Sequence, residues 1–539
     1  MQPQETSQSI SGPGFHRVAP WVVLAGIVAG YFALVLRSAW NLPTYDDYGI
    51  IGFIARVHLG EFSWGEFWQP HNEHRIVWTR LVMLAASSVG KVNFVGLMIV
   101  GNLGWLGCGW LLGREAARRA GSLWAAVPVV ALLAVPSHQE NMLWAMASLQ
   151  NYWVLFFVLL ALKFSAEGRD GAAVGLFAAA LLTSGAAVAA LPGLFLLPLL
   201  RREWRKVALV AIAGLVLVGG YVVGLKTQSD LHATGAREIV RYFANFMGGT
   251  VPWPGLAVGM GAGLAVVMLL LVARFKVDGF CAAVAAFVLI TAGLASVARG
   301  GFGVEQALAS RYAVYSLLAA AIAWLACLGR ATPLVVRAGG ILLVLGAAVA
   351  TGEIFHSGRW ERYCAGIPME YYKVTSRFPS HVGLMQYLEL TQRAGIYQPP
   401  PLAAVSGRLP ARRLPRDFAA PAAVESWIDH YDGSYVNGWA RQHGRTSLGQ
   451  VVWIMLRNEQ HEAWAVPAWG FDRPDLVAAD HSNRDSLQSG FEMALPLFAL
   501  PAGRYDLSLL VWQDGIWAMA ATPFTYGVGV PKSELKLRD

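Results

Sequence analysis

Charge is scarce in this chain. Only 14% of its 539 residues are Asp, Glu, Lys or Arg and 55% are hydrophobic, where soluble domains carry roughly 25% charged residues. With a mean hydropathy of +0.45, this composition excludes an ordinary soluble globule and predicts a chain that threads a membrane repeatedly. Cysteine is nearly missing as well. Cys108, Cys281 and Cys327 lie inside apolar runs and Cys364 stands alone, so neither a disulfide framework nor a paired-cysteine metal motif can be built. No GxxxxGK[ST] and no strand, Gly-rich turn and helix unit occurs, which argues against direct use of a nucleotide. No internal repeat is evident, which weakens a secondary-transporter reading. The net charge of +8 does not call for a nucleic-acid partner, because the basic residues cluster at the ends of apolar runs, the positive-inside pattern.

Alternating the apolar runs against Lys and Arg predicts a polytopic α-helical membrane protein of about eleven transmembrane helices. The runs are Val22–Leu36, Val95–Leu112, Trp124–Val135, Tyr152–Leu162, Ala172–Leu182, Ala187–Leu200, Val207–Val223, Leu256–Val272, Phe280–Ala295, Ala313–Cys327 and Ile341–Ala350. The first lacks a following small-x-small cleavage site and reads as an uncleaved anchor with a cytoplasmic amino terminus. Arg114 to Arg119 and Arg201 to Lys206 mark the inner side. Residues 1–355 then form a membrane domain with large outer loops at 41–93 and 226–254. Within the first loop, Ile76–Val89 is apolar on one side, short and interrupted by Arg80, so it is expected to lie on the interface; if it spans instead, all later parity reverses. Everything beyond about 355 is expected outside: a helical segment and Pro/Arg-rich linker over 356–424, then a C-terminal all-β sandwich over 425–539, Ig-like or jelly-roll-like, with Gly, Asp, Pro and Asn between short strand-like runs.

Under this topology the polar clusters of the membrane half share the outer face. They are Tyr45-Asp46-Asp47-Tyr48, Gln69-Pro70-His71-Asn72-Glu73-His74-Arg75, the turn holding His138, Glu140 and Asn141, and the stretch from Arg299 to Tyr312 that includes Arg311. Ionised side chains beside a bilayer are costly, so such residues either are solvated loop polarity or serve a site. His71, Glu73 and His74 are spaced i, i+2, i+3, which does not place all three on one helical face, so no metal is assigned. Tryptophans near the outer edge, Trp64, Trp68, Trp144, Trp153 and Trp253, fit an interfacial belt.

The acidic pair early in the first large outer loop, the interfacial helix-like sequence after it, the second large loop after the seventh span and the later arginines together resemble the polytopic GT-C glycosyltransferases. The resemblance covers roughly residues 20 to 355, and the C-terminal part resembles β-sandwich modules attached to various bacterial glycosyltransferases. It implies a bacterial inner-membrane enzyme that moves a sugar from a polyprenyl-phosphate donor to a periplasmic acceptor: a cell-envelope glycan such as O-antigen, a lipid-linked sugar or a surface protein. Such a transfer needs a base for the acceptor proton. The resemblance favours Asp46 for this, with Asp47 orienting the acceptor or neighbouring groups. The leaving lipid phosphate needs fixed positive partners, and His74, Arg75, Arg299 and Arg311 are the candidates. His71, Glu73, His138, Glu140 and Asn141 are candidates for acceptor or donor contacts. No cofactor is expected. The rival reading is a transporter or flippase of a lipid-linked glycan, which calls for polar residues near mid-membrane. Transfer of an acyl or phosphoethanolamine unit would want an activated nucleophile or a metal cluster, and neither is visible.

Overall fold

A computed structural model of the chain describes residues 15–71, 74–225, 235–251, 253–328, 332–479 and 484–531. Its first two thirds are helical. Among the described residues, eight helices are long and apolar enough to cross a membrane, by length and composition: Val18–Ser38, Phe94–Ala120, Ala145–Ala166, Trp204–Val222, Gly255–Ala273, Gly279–Arg299, Ser310–Cys327 and Pro333–His356. The other three expected spans form shorter apolar helices. Asp170–Leu181 and Gly185–Leu200 are separated by a Thr183-Ser184 break. The run after Trp124 becomes a 3-10 turn and the eight-residue helix Ala126–Leu133, which ends before Pro136.

Small residues let these helices approach. Along Phe94–Ala120, Gly101, Gly104 and Gly107 recur every three residues and face Ser148, Trp153 and Phe156. A Cβ on Gly101 would stand 2.1 Å from Ser148 Oγ, so glycine is required for this close interhelical contact.

The first outer loop is largely helical. Asp47–Leu59 and Trp64–Trp68 precede the amphipathic Val77–Val89. Val77–Val89 has 13 residues, about 20 Å of helix against a hydrocarbon core of about 30 Å. Trp78 N–H, in its first turn, donates to Leu182 O, and Val92 N–H, just past its end, donates to Ile396 O. In the second loop, residues 226–234 lie outside the described residues, and Ala236–Gly248 is a helix.

After Pro333–His356 the chain turns at Gly358, whose φ of +80° suits a residue without a side chain. The helices Arg359–Thr375 and Val382–Arg393 follow. The second packs on Asp47–Leu59, with Gly52 receiving the ring of Tyr387.

Among the described residues, the C-terminal domain has eleven strands: β1 (Leu409–Pro410), β2 (Arg412–Leu414), β3 (Ala422–Tyr431), β4 (Tyr435–Gln442), β5 (Val451–Asn458), β6 (Ala463–Pro467), β7 (Trp469–Phe471), β8 (Gly490–Ala494), β9 (Phe498–Ala499), β10 (Gly503–Gln513) and β11 (Ile516–Val528). Nine run in the order β2-β6-β5-β10-β11-β3-β4-β8-β7. The β11–β3 seam is parallel and joins only Ala518 to Ala422 and Met519 to Ala423. Two antiparallel sheets therefore meet at a short corner and stack, with β10 packing across on β4. Pairing begins in the proline-rich stretch expected to be linker, since β2 pairs with β6. β5 is buried on both sides: Val452, Ile454 and Leu456 join the main core, while Val451, Trp453 and Met455 pack with Leu414, Phe418 and Trp517.

Candidate active site

Asp46 and Asp47 are neighbours in sequence and opposites in environment. Residue 45 holds a positive φ of 48°, which turns the chain into the helix Asp47–Leu59 and splits the two carboxylates. Asp47 is fully buried. Its Oδ1 accepts the Met146 N–H at 2.9 Å and its Oδ2 the Thr44 N–H at 3.2 Å. Burial pushes this carboxyl well above the usual carboxylate range, against the two backbone donors that pull it down. Asp47 is thus a brace between the loop and the helix that begins at Ala145. Asp46, with 41% of its side chain exposed, stands 3.2 Å from His71 Nε2.

Asp46 opens onto a cavity of about 480 Å³ that His71, His74, Arg299 and Arg311 also line. Four sequence segments up to 265 residues apart contribute these five side chains. Trp144, Asn151, Ser184 and Tyr221 extend the polar part. The other wall is apolar, formed by Phe246, Leu294, Ala295 and Ala298. Leu294 is 55% exposed on the outer surface of Gly279–Arg299, so this side of the cavity meets the surface that a lipid tail would touch.

The two arginines are held in place rather than loose. Arg299 Nη1 donates to Tyr312 Oη at 3.2 Å. Arg311 lies over the Tyr312 ring, 5.2 Å from its centroid, and its Nη1 is 3.7 Å from Glu140 Oε1. Glu140 also accepts the Arg311 backbone N–H at 2.9 Å, and Asn141 Nδ2 donates to the Arg311 carbonyl at 2.9 Å. Glu140 and Asn141 therefore act on the cavity through Arg311.

His71 and His74 face each other in a tight backbone bridge, His71 N–H to His74 O at 2.7 Å and the reverse at 3.0 Å. Two arginines support this bridge. Arg75, expected as a phosphate ligand, is buried and donates to the carbonyls of Tyr221, Trp68 and Val223. Arg80 donates to the carbonyls of Phe67 and Gln69, each at 2.8 Å. Arg75 engages Nε and both Nη atoms on main-chain carbonyls, so it holds the loop against the end of Trp204–Val222 and is not among the cavity lining. Glu73 lies outside the described residues, and among the described residues no three His, Cys, Asp or Glu side chains gather as a metal would require.

His138 is also placed away from the cavity. It is fully buried, with Nδ1 2.6 Å from Tyr152 Oη and Nε2 3.2 Å from the Leu133 carbonyl. Burial pulls its pKa down to about 4, so it sits as a neutral ring in a network with Tyr31, Asn102 and Tyr152.

Glu370, on Arg359–Thr375, is a neighbour that sequence reasoning missed. Its carboxylate accepts the Tyr45 N–H at 3.0 and 3.2 Å, which fixes the residue before Asp46. Burial first, then repulsion from Asp46 and Glu492, raises it to about 7 against the pull of the Tyr45 N–H and Lys373. The two partners are 325 positions apart in sequence, and only the docking of the C-terminal helices brings them together.

No family model matches the chain, and no curated protein matches it. Among solved structures, the chain is similar to the crystal structure of ArnT from Cupriavidus metallidurans bound to undecaprenyl phosphate, with 16% identity over 70% of this chain and 74% of that one and a TM-score of 0.42. The apo state of the same protein gives 17% identity, the same coverage and a TM-score of 0.41.

Proposed function

We propose that this chain is a GT-C-like membrane glycosyltransferase that moves a sugar from a polyprenyl-phosphate donor to an acceptor on the face carrying the β domain, the periplasmic face. The observation that carries this reading is the composition of one cavity: an accessible carboxylate, two tethered guanidinium groups and an apolar wall at an exposed helix surface.

Each part has a role in the transfer. The lipid tail lies along the Leu294 side, and Arg299 and Arg311 hold the phosphate, with planar donor forks suited to its oxygens. As the acceptor oxygen bonds to C1 of the sugar, its proton passes to Asp46 and the bond from C1 to the phosphate oxygen breaks. The leaving phosphate keeps that electron pair, and the charge it gains is stabilised by the two arginines. His71, beside Asp46, orients the carboxylate. Asp47 and Glu370 hold the backbone on either side of it and touch no reactant.

The test is sugar transfer from a polyprenyl-phosphate donor in membranes containing the full chain. Asp46→Asn is expected to lose most activity while still binding donor; retained full activity removes Asp46 as the base. The transporter reading is checked in the same membranes, since it predicts donor movement between leaflets with no new glycosidic bond.

A further inference from the structure

A second cavity, of about 310 Å³, lies where the β domain meets the helix ends. Its lining combines turns between the membrane helices with the β7 edge and the loops before β5 and β8. The lining is rich in amides: Gln139 and Gln306 from the helical side, Gln450 and Gln488 from the β domain. Several of these groups are half engaged. Gln306 Oε1 accepts from Tyr242 Oη, and Gln450 Nε2 donates to the Ala440 carbonyl. By contrast, the side-chain oxygens of Ser137, Gln139, Thr250 and Gln450, all lining residues, are buried without a hydrogen-bond partner. Such groups left unpaired are costly, and with the amides on the cavity wall they mark a polar, uncharged lining suited to a ligand rich in hydroxyl groups.

The charge in the cleft is balanced. Arg359 and Arg362 are opposed by Glu140 and Asp472. The arginines are also committed, Arg359 to the Gly449 carbonyl at 3.0 Å and Arg362 to the Gln450 carbonyl at 3.3 Å, where they clamp the loop before β5. Trp469 adds an aromatic face, with its ring centroid 6.1 Å from Tyr363 and 6.4 Å from Tyr45. Tyr45 adjoins Asp46, and Glu140 lines this cleft while bonding Arg311 of the other cavity. Trp469 and Glu140, on the cleft wall, therefore neighbour Tyr45, which precedes the proposed base, and Arg311, which lines the other cavity.

We propose that this cleft is the acceptor site and takes a neutral, hydroxyl-rich oligosaccharide, stacked on Trp469 and hydrogen-bonded by the glutamines, with its terminal hydroxyl directed past Tyr45 to Asp46. The β domain is then half of the acceptor site. This assignment rests on the glycosyltransferase reading above.

The experiment uses the full chain in lipid nanodiscs. Short neutral oligosaccharides of the malto, manno and chito series, with oligogalacturonate as the acidic counterpart, are titrated and bound sugar is read by saturation-transfer NMR. Undecaprenyl phosphate binding is measured on the same samples. At least one neutral series is expected to bind, and Trp469→Ala and Gln139→Leu, from opposite walls, are each expected to weaken it about tenfold without changing undecaprenyl phosphate binding. The assignment is overturned if no neutral sugar binds, if the acidic oligomer binds more tightly, or if sugar binding survives both substitutions in folded protein. If undecaprenyl phosphate still binds in those cases, the acceptor assignment falls alone; if it does not bind either, the glycosyltransferase reading falls with it.

Discussion

The two ends of the helical bundle use charge in opposite ways. At one end, buried Glu115 takes Arg119 at 2.8 Å and Lys163 at 2.9 Å, and Arg119 reaches on to Asp278 at 2.5 Å. Buried Asp170 lies within 4.0 Å of Arg201 and 3.6 Å of Lys206. These ions pair with one another and tie helix ends together. At the other end, Asp46, Arg299 and Arg311 are anchored by neighbours yet line an open cavity. Charge that is used up builds scaffold, and charge that is held toward open space builds a site. The same contrast separates Asp46 from Asp47, one residue apart.

Substitutions sharpen this comparison. The largest effect is expected from Asp46→Asn, a loss of roughly 10²- to 10⁴-fold in transfer rate, the range for a general base, with thermal stability unchanged; a stability loss in place of the rate loss would move Asp46 to the scaffold class. Glu115→Ala should do the reverse. Removing one partner of a buried ion network costs about 3–5 kcal/mol, read as a lower melting temperature in detergent, with the transfer rate of the folded fraction retained. Asp47→Asn should also register first in stability, by about 1–3 kcal/mol, because one of the two backbone N–H groups loses its acceptor.

The smallest effect concerns pH. Glu370 has a folded pKa of about 7, raised from an ordinary value of about 4.3. Between those values the folded state binds more protons than the unfolded one, so this group's contribution to stability is full below about pH 4.3 and is lost as pH rises toward 7. Glu370→Gln should remove that part of the slope in melting temperature between pH 5 and 7; an unchanged slope would show that Glu370 is not the titrating group.

Much of this was legible in the sequence because hydropathy and charge are local. The eight long helices follow apolar runs bounded by Lys and Arg, and β4, β5, β6, β8, β10 and β11 follow short apolar runs bounded by turn residues. β3 was hidden because Glu425, Asp429 and His430 interrupt its pattern. The helix Asp47–Leu59 was hidden inside what reads as a loop. For the site, the residue types that converge, Asp46, His71, His74, Arg299 and Arg311, stand out as polar groups beside apolar runs. Sequence does not tell whether a guanidinium meets a cavity or a carbonyl, and so Arg75 and Arg311 look alike there. Nor does it show Glu370 or the cleft at Trp469, which exist only once the C-terminal helices and β domain dock.

The most direct measurement is saturable binding of undecaprenyl phosphate to the purified full chain, compared among the wild type, Arg311→Ala and Glu115→Gln. The account predicts one lipid phosphate per chain, affinity reduced about tenfold by the loss of a charge-assisted contact in Arg311→Ala, and no change in folded Glu115→Gln. Absence of saturable binding, or equal binding by the wild type and Arg311→Ala, would contradict it.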